Sequence, residues 1–178
     1  MPGSGKGELS EVASELGIMV VSLGDVVRQH FISQHPDGTG DLIGAFAASE
    51  REVYGRDIWA KRLLLTLGPL VDTGRSLLIV DGLRSNYEAD LLRRELGGGF
   101  LVLAVHSSPT VRFNRLMRRG RSDSPRSIQE FNERERRELS WGMGDVISTA
   151  DIMLVNEGDL DEFKGLVRST LSRLGGRI

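Results

Sequence analysis

Met1-Pro2-Gly3-Ser4-Gly5-Lys6-Gly7 opens the chain, and its reading decides the rest. Gly3, Gly5 and Lys6 stand where the phosphate-binding pattern G-x-x-x-x-G-K-[ST] has its last glycines and its lysine. Small residues let successive backbone N–H groups turn inward as an anion nest. A helix starting there adds its positive end, and Lys6 adds a mobile charge for outer phosphates. Gly3, Ser4, Gly5, Lys6 and Gly7 are therefore the candidate cradle for the phosphates of ATP.

Two features depart from the pattern. Its first glycine, and the buried strand that delivers the loop, would precede Met1. Gly7 stands where a Ser or Thr hydroxyl would reach Mg²⁺. A flexible Gly-rich terminus ahead of a helix is the alternative on these residues alone.

The 178 residues are most simply one domain with room for a core. Hydrophobic content of 39% and charged content of 27% are those of an ordinary soluble globule. A net charge of −2 gives no reason to expect nucleic acid or an anionic membrane as partner. The absence of cysteine excludes disulfides, thiolate catalysis and cysteine-bound zinc, and three scattered histidines make no metal site. The apolar runs fall short of a membrane span and no signal peptide leads the chain, so a cytoplasmic enzyme or binding protein is expected.

Leu9, Val12, Ala13 and Leu16 mark a helix over residues 5 to 16, which Gly17 ends. Continuous apolar runs at 18 to 23, 76 to 81, 100 to 106 and 152 to 155 read as strands buried on both faces. Helices are expected between them, over 41 to 54, 56 to 67, 86 to 96, 109 to 119, 127 to 139 and 159 to 174, with one more opening at Gly24-Asp25. His35 to Gly40 reads as a loop. The alternation is that of an α/β, doubly wound parallel sheet, whose site lies beyond the carboxyl ends of its strands.

Asp81 ends one such strand. A carboxylate there can support a magnesium ion beside the phosphates, although an Asp before Gly82 also simply opens a turn. Ser22-Leu23-Gly24-Asp25-Val26-Val27-Arg28 and Asp81-Gly82-Leu83-Arg84 follow the first two strands. Here the chain resembles adenylate kinase and its nucleoside-monophosphate-kinase relatives, and the resemblance implies that Asp25, Arg28 and Arg84 shape the acceptor site. A guanidinium fork suits a phosphate dianion, and the bland alternative for each Arg is a solvated surface side chain. Leu23 in place of a polar contact, and a missing proline before Arg84, depart from the family pattern.

Arg112, Arg115, Arg118, Arg119 and Arg121 crowd one segment. By resemblance this is the lid of those kinases, with Arg119 and Arg121 on the transferring phosphoryl and Arg137 from the returning helix beside the acceptor. Salt bridges to Glu130, Glu133 or Glu135 are the alternative, expected at least for Arg112 and Arg118. Asn156-Glu157-Gly158-Asp159 reads as a loop beside the donor base, with Asp159 capping the last helix. The stretch from Ala150 to Gly158 is similar to one in dephospho-coenzyme A kinase.

Over nearly its whole length the chain is similar to an archaeal P-loop family related to dephospho-coenzyme A kinase and adenylate kinase. The phrases that carry this are Pro-Gly-Ser-Gly-Lys, Gly-Asp-Val-Val-Arg, Val-Asp-Gly-Leu-Arg-Ser, Arg-Gly-Arg-Ser-Asp and Glu-Leu-Ser-Trp-Gly. The resemblance implies one domain over 1–178, a helical acceptor-binding insertion at about 25–67 and an Arg-rich lid at about 112–138. It implies ATP and Mg²⁺ as cofactors and a small nucleotide acceptor as partner.

In that fold the strand before the loop lies mid-sheet. Its loss would remove several buried side chains worth about 1.5–3 kcal/mol each, against a net stability of roughly 5–15 kcal/mol. The expectation is a working protein that starts upstream of Met1. Two rivals to a kinase stay open: a module that binds ATP without transfer, because of Gly7, and a nonenzymatic α/β interaction domain.

Overall fold

The computed structural model describes residues 1–71, 77–120 and 124–176. Its helices are α1 (Lys6–Glu15), α2 (Leu23–Gln34), α3 (Ile43–Tyr54), α4 (Ile58–Val71), α5 (Asn86–Leu96), α6 (Pro109–Arg119), α7 (Ile128–Ser140), α8 (Met143–Ser148) and α9 (Leu160–Gly175). Its strands are β1 (Met19–Ser22), β2 (Leu78–Asp81), β3 (Leu103–His106) and β4 (Ile152–Val155). Each strand lies within a run of apolar residues too short for a helix, and a helical stretch separates it from the next.

The strands make two parallel pairs. In one, Met19 lies opposite Leu78 and Ser22 opposite Asp81. In the other, Leu103 lies opposite Ile152 and His106 opposite Val155. Among the described residues the pairs are not hydrogen-bonded to each other. They nevertheless share a core, because Val20, Leu77 and Ile79 pack with Leu103, Val105, Ile152 and Leu154 beneath Val12 of α1 and Phe163, Val167 and Leu171 of α9. Alternate residues of β1 and β2 (Val21, Leu78 and Val80) face the opposite way, onto α2, α4 and α5. Helices therefore cover both faces of the β1–β2 pair, which is why these strands read as continuously apolar.

The region between β1 and β2 is helical. Trp59, Leu63 and Leu67 of α4 are fully or almost fully buried against Leu23 and Val27 of α2. The Trp59 indole donates to the Ala47 carbonyl of α3 at 3.2 Å, and its ring lies edge-on to His30. Arg62 stacks on the Trp59 face at 4.7 Å and pairs with Glu50. Burial, with Arg62 next in weight, holds the His30 pKa below its ordinary value although Glu50 opposes this. A short helix, α8, lies between α7 and β4, where the sequence suggested no element; six residues with an internal Gly144 are too few to show a period. Among the described residues no helix is long and apolar enough to cross a membrane.

Trp59→Ala removes a wholly buried ring and its hydrogen bond to the Ala47 carbonyl. The expected cost is about 3–5 kcal/mol, read as a lowered midpoint in urea unfolding.

Candidate functional site

Local sequence sets the shape of the opening turn. Gly3 and Gly5 both have positive φ, 79° and 108°. Both are also hemmed in: a Cβ on Gly3 would lie 2.8 Å from the Arg112 carbonyl oxygen, and one on Gly5 would lie 2.2 Å from Asn156 Nδ2. Gly7 differs, since a Cβ there meets no heavy atom within 4 Å. Side chains cap α2 (Ser22), α5 (Ser85), α7 (Ser127) and α9 (Asp159), whereas α1 opens at Gly5 with no side-chain cap. The first-turn N–H groups of α1 are thus not satisfied by a side chain, and the turn has the backbone of an anion nest.

Lys6 Nζ lies 3.0 Å from Asp81 Oδ1, an ion pair across 75 residues that joins the start of α1 to the end of β2. With the two side chains 43% and 31% exposed, the pair is worth about 0–1 kcal/mol. It holds the lysine in place and yields readily to a stronger anion. At the neighbouring strand end, Ser22 caps α2 by accepting from the Asp25 N–H, and Asp25 pairs with Arg28 at 2.7 Å. Register aligns Ser22 with Asp81, so Asp25, Arg28, Asp81 and Lys6 belong to one edge, beyond the carboxyl ends of β1 and β2.

Arg84 follows three residues after Asp81. Its Nη1 donates to both carboxylate oxygens of Glu138 of α7, at 2.8 and 2.9 Å, and its plane lies 5.3 Å from the Trp141 ring centre. Glu138 is 6% exposed, so its charge depends on this partner, whereas Arg84 keeps 39% of its side chain in solvent. The backbone is held as well: the buried Glu88 carboxylate accepts from the N–H groups of Arg84 and Ser85, and its other oxygen takes Arg51 at 3.2 Å. Ser85 and Glu88 form a capping box, a S-x-x-E signal legible in the sequence and overlooked there. A cavity of about 410 Å³ opens beside them, lined by Arg51, Arg56, Ser85 and Trp141.

Asn156 is buried, and its amide is directed at the loop: Nδ2 donates to the Ser4 carbonyl at 2.8 Å. Arg119 is exposed at the last residue of α6, and Arg137 is exposed on α7. Arg121 lies outside the described residues. Arg112 pairs with Glu135 as an alternative to ligand binding, but on a buried face rather than a solvated one. Among the described residues, no three acidic or histidine side chains gather as a metal cluster.

An AAA domain model matches residues 1–132 of the chain. The UPF0200 protein Mbar_A0975 of Methanosarcina barkeri is 38% identical over 172 residues, covering 97% of this chain and 91% of its own length. The UPF0200 protein Ta0179 of Thermoplasma acidophilum is 40% identical over 172 residues, with 97% and 92% covered. A UPF0200 protein of Hyperthermus butylicus is 39% identical over 177 residues, with 99% and 92% covered.

The glycines make a clear test. Gly5→Ala should weaken binding of a nucleoside triphosphate at least tenfold by calorimetry and lower the melting temperature, since φ and space both forbid the methyl. Gly7→Ala should leave melting nearly unchanged, within the roughly 0.5 kcal/mol of an unconstrained surface site.

Proposed function

The chain belongs to the UPF0200 family and matches an AAA domain over residues 1–132, and from that premise we propose an ATP-dependent phosphotransferase acting on a nucleotide or nucleotide-like acceptor. The observation that carries the reading is the uncapped glycine turn whose lysine reaches Asp81 across the site. In this reading the N–H groups at residues 3 to 7 bind the phosphates, and Lys6 leaves Asp81 for the β- and γ-phosphates. Mg²⁺ bound with the nucleotide supplies neutralisation of the outer phosphates. Asp81 is the residue that would hold it, and the partly exposed carboxylate with open space at Gly7 fits that role.

Arg28 and Arg84 hold the acceptor's phosphate, and the cavity beside Trp141 gives its body room. Glu138 leaves the Nε and Nη2 side of Arg84 for that contact. Transfer breaks the bond between the γ-phosphorus and the β,γ-bridging oxygen, and an acceptor oxygen supplies the new bond in line. Positioning and charge do most of the work, so no nucleophilic side chain is needed. Asp25 takes the proton if the acceptor oxygen is an alcohol. Arg119 and Arg121 close over the group in flight as parts of a lid at about 112–138, with Arg137 of α7 beside the acceptor. The helical region at about 25–67 is the acceptor-binding insertion of a single domain, and the proposed setting is cytoplasmic.

The same reading makes β1–β2 and β3–β4 two halves of one doubly wound sheet. Their shared core supports this.

Coupled ATP turnover across a panel of nucleoside monophosphates and dephospho-coenzyme A tests the activity. One acceptor should release ADP stoichiometrically with a phosphorylated product. Lys6→Met should cut turnover at least a hundredfold. Arg28→Ala, at an exposed residue, should raise the acceptor KM tenfold or more while leaving the ATP KM alone. Gly7→Ser should increase turnover by restoring a metal-binding hydroxyl. A second reading follows from Gly7 itself, a module that binds ATP and transfers nothing; tight ATP binding with no product from any acceptor would favour it.

A further inference from the structure

Side chains from distant parts of the chain hold the carbonyl groups of the opening turn. Asn156 Nδ2 donates to the Ser4 carbonyl at 2.8 Å, and Ser107 Oγ lies 3.3 Å from the same oxygen. That carbonyl and the Gly5 N–H belong to one rigid trans peptide plane and point in opposite directions. Fixing the oxygen on Asn156 therefore aims the N–H away from it, toward the concave side of the nest. The other half of the amide is engaged too: Oδ1 accepts from Arg115 Nη2 at 3.1 Å, while Nη1 donates to the Asn156 carbonyl at 3.0 Å. Arg115 Nη1 also reaches Ser107 Oγ at 3.1 Å.

Helix α6 touches the loop at further points. Arg112 donates to the Ser107 carbonyl at 2.9 Å and reaches the Pro2 carbonyl at 3.4 Å, and its own carbonyl closes over Gly3. Arg119 lies one turn beyond Arg115 on the same helix. We infer that Asn156 is a positioning residue for the phosphate-binding turn and, together with Arg115, couples the state of that turn to α6. The role requires an amide, because a carboxylate at the same position can accept from Arg115 but cannot donate to Ser4. It rests on the proposed function only for the identity of the ligand.

Hydrogen exchange on the full chain, with and without ATP·Mg²⁺, tests this alongside thermal melts. Asn156→Asp is nearly isosteric. It should speed exchange at residues 3–9 at least tenfold without ligand and weaken ATP binding at least tenfold. Arg115→Ala should still bind ATP within a few-fold of wild type but lose the slowing of exchange over 109–119 that ATP causes in wild type. A purely structural role would lower the melting temperature and raise exchange everywhere, not in these two segments. Wild-type exchange at residues 3–9 in Asn156→Asp, or retained ATP-dependent slowing in Arg115→Ala, would overturn the inference. If Asn156→Asp fails to fold, Asn156→Ala gives the same readout, with faster exchange at residues 3–9 expected and wild-type exchange overturning. If wild type binds no ATP, the proposed function and the coupling to α6 both fall, while exchange without ligand still decides the positioning role.

Discussion

Two glycines of the opening turn, where a Cβ finds no room, govern the molecule. The backbone at Gly3 runs against the carbonyl of Arg112, and at Gly5 against the amide of Asn156. These two close approaches bring α6 and the loop after β4 directly onto the opening turn. They join parts of the chain separated by more than a hundred residues. Once the turn is seated, α1 must begin where it does, and Lys6 falls within reach of the end of β2. The rest of the architecture supplies walls for that seat: α9 backs α1, and the apolar strands fill the space beneath.

Charge around the site comes in two grades. Lys6 and Asp81 share solvent with their pairing, so their bond is weak and exchangeable. Arg84 is different, because one of its partners is a buried carboxylate whose isolation would be costly, and its backbone is fixed by another. A weak pair suits a group that must move onto an incoming phosphate. A firmly seated guanidinium suits a group that must wait in one place. Asp25 and Arg28 are more exposed still and hold only each other among the described residues.

Much of the fold was legible because the strands are continuous apolar runs. Residues 152–155 form a strand at the bounds the sequence suggests, as do helices 86–96 and 109–119. The others shift by one to a few residues, as fraying ends do: 18–23 shortens to Met19–Ser22 and 100–106 to Leu103–His106. The pairing of Lys6 with Asp81 was within reach, since both residue types stood out at the ends of elements known to converge. The supports were not. Asn156 and Ser4 are 152 residues apart and meet through one side-chain-to-backbone bond, which leaves no periodicity behind. A salt bridge from Arg112 to Glu135 was among the pairings expected, but as part of a solvated face, and nothing in its neighbours announced that Arg112 is buried. Glu138 and Trp141 stood inside a phrase that carried the family resemblance, but that Arg84 rests on both is a fact of three dimensions.

The chain has two tryptophans, and they sit in opposite environments. Trp59 is sealed within the α2–α4 cluster, whereas Trp141 lies at the cavity wall beneath two guanidinium groups, Arg51 and Arg84. The protein thus contains two native fluorophores, one sensing the integrity of the helical layer and the other sensing the electric field at the cavity. Replacing either with phenylalanine isolates the emission of its counterpart, so unfolding and occupancy become separately visible in one cuvette without any attached dye.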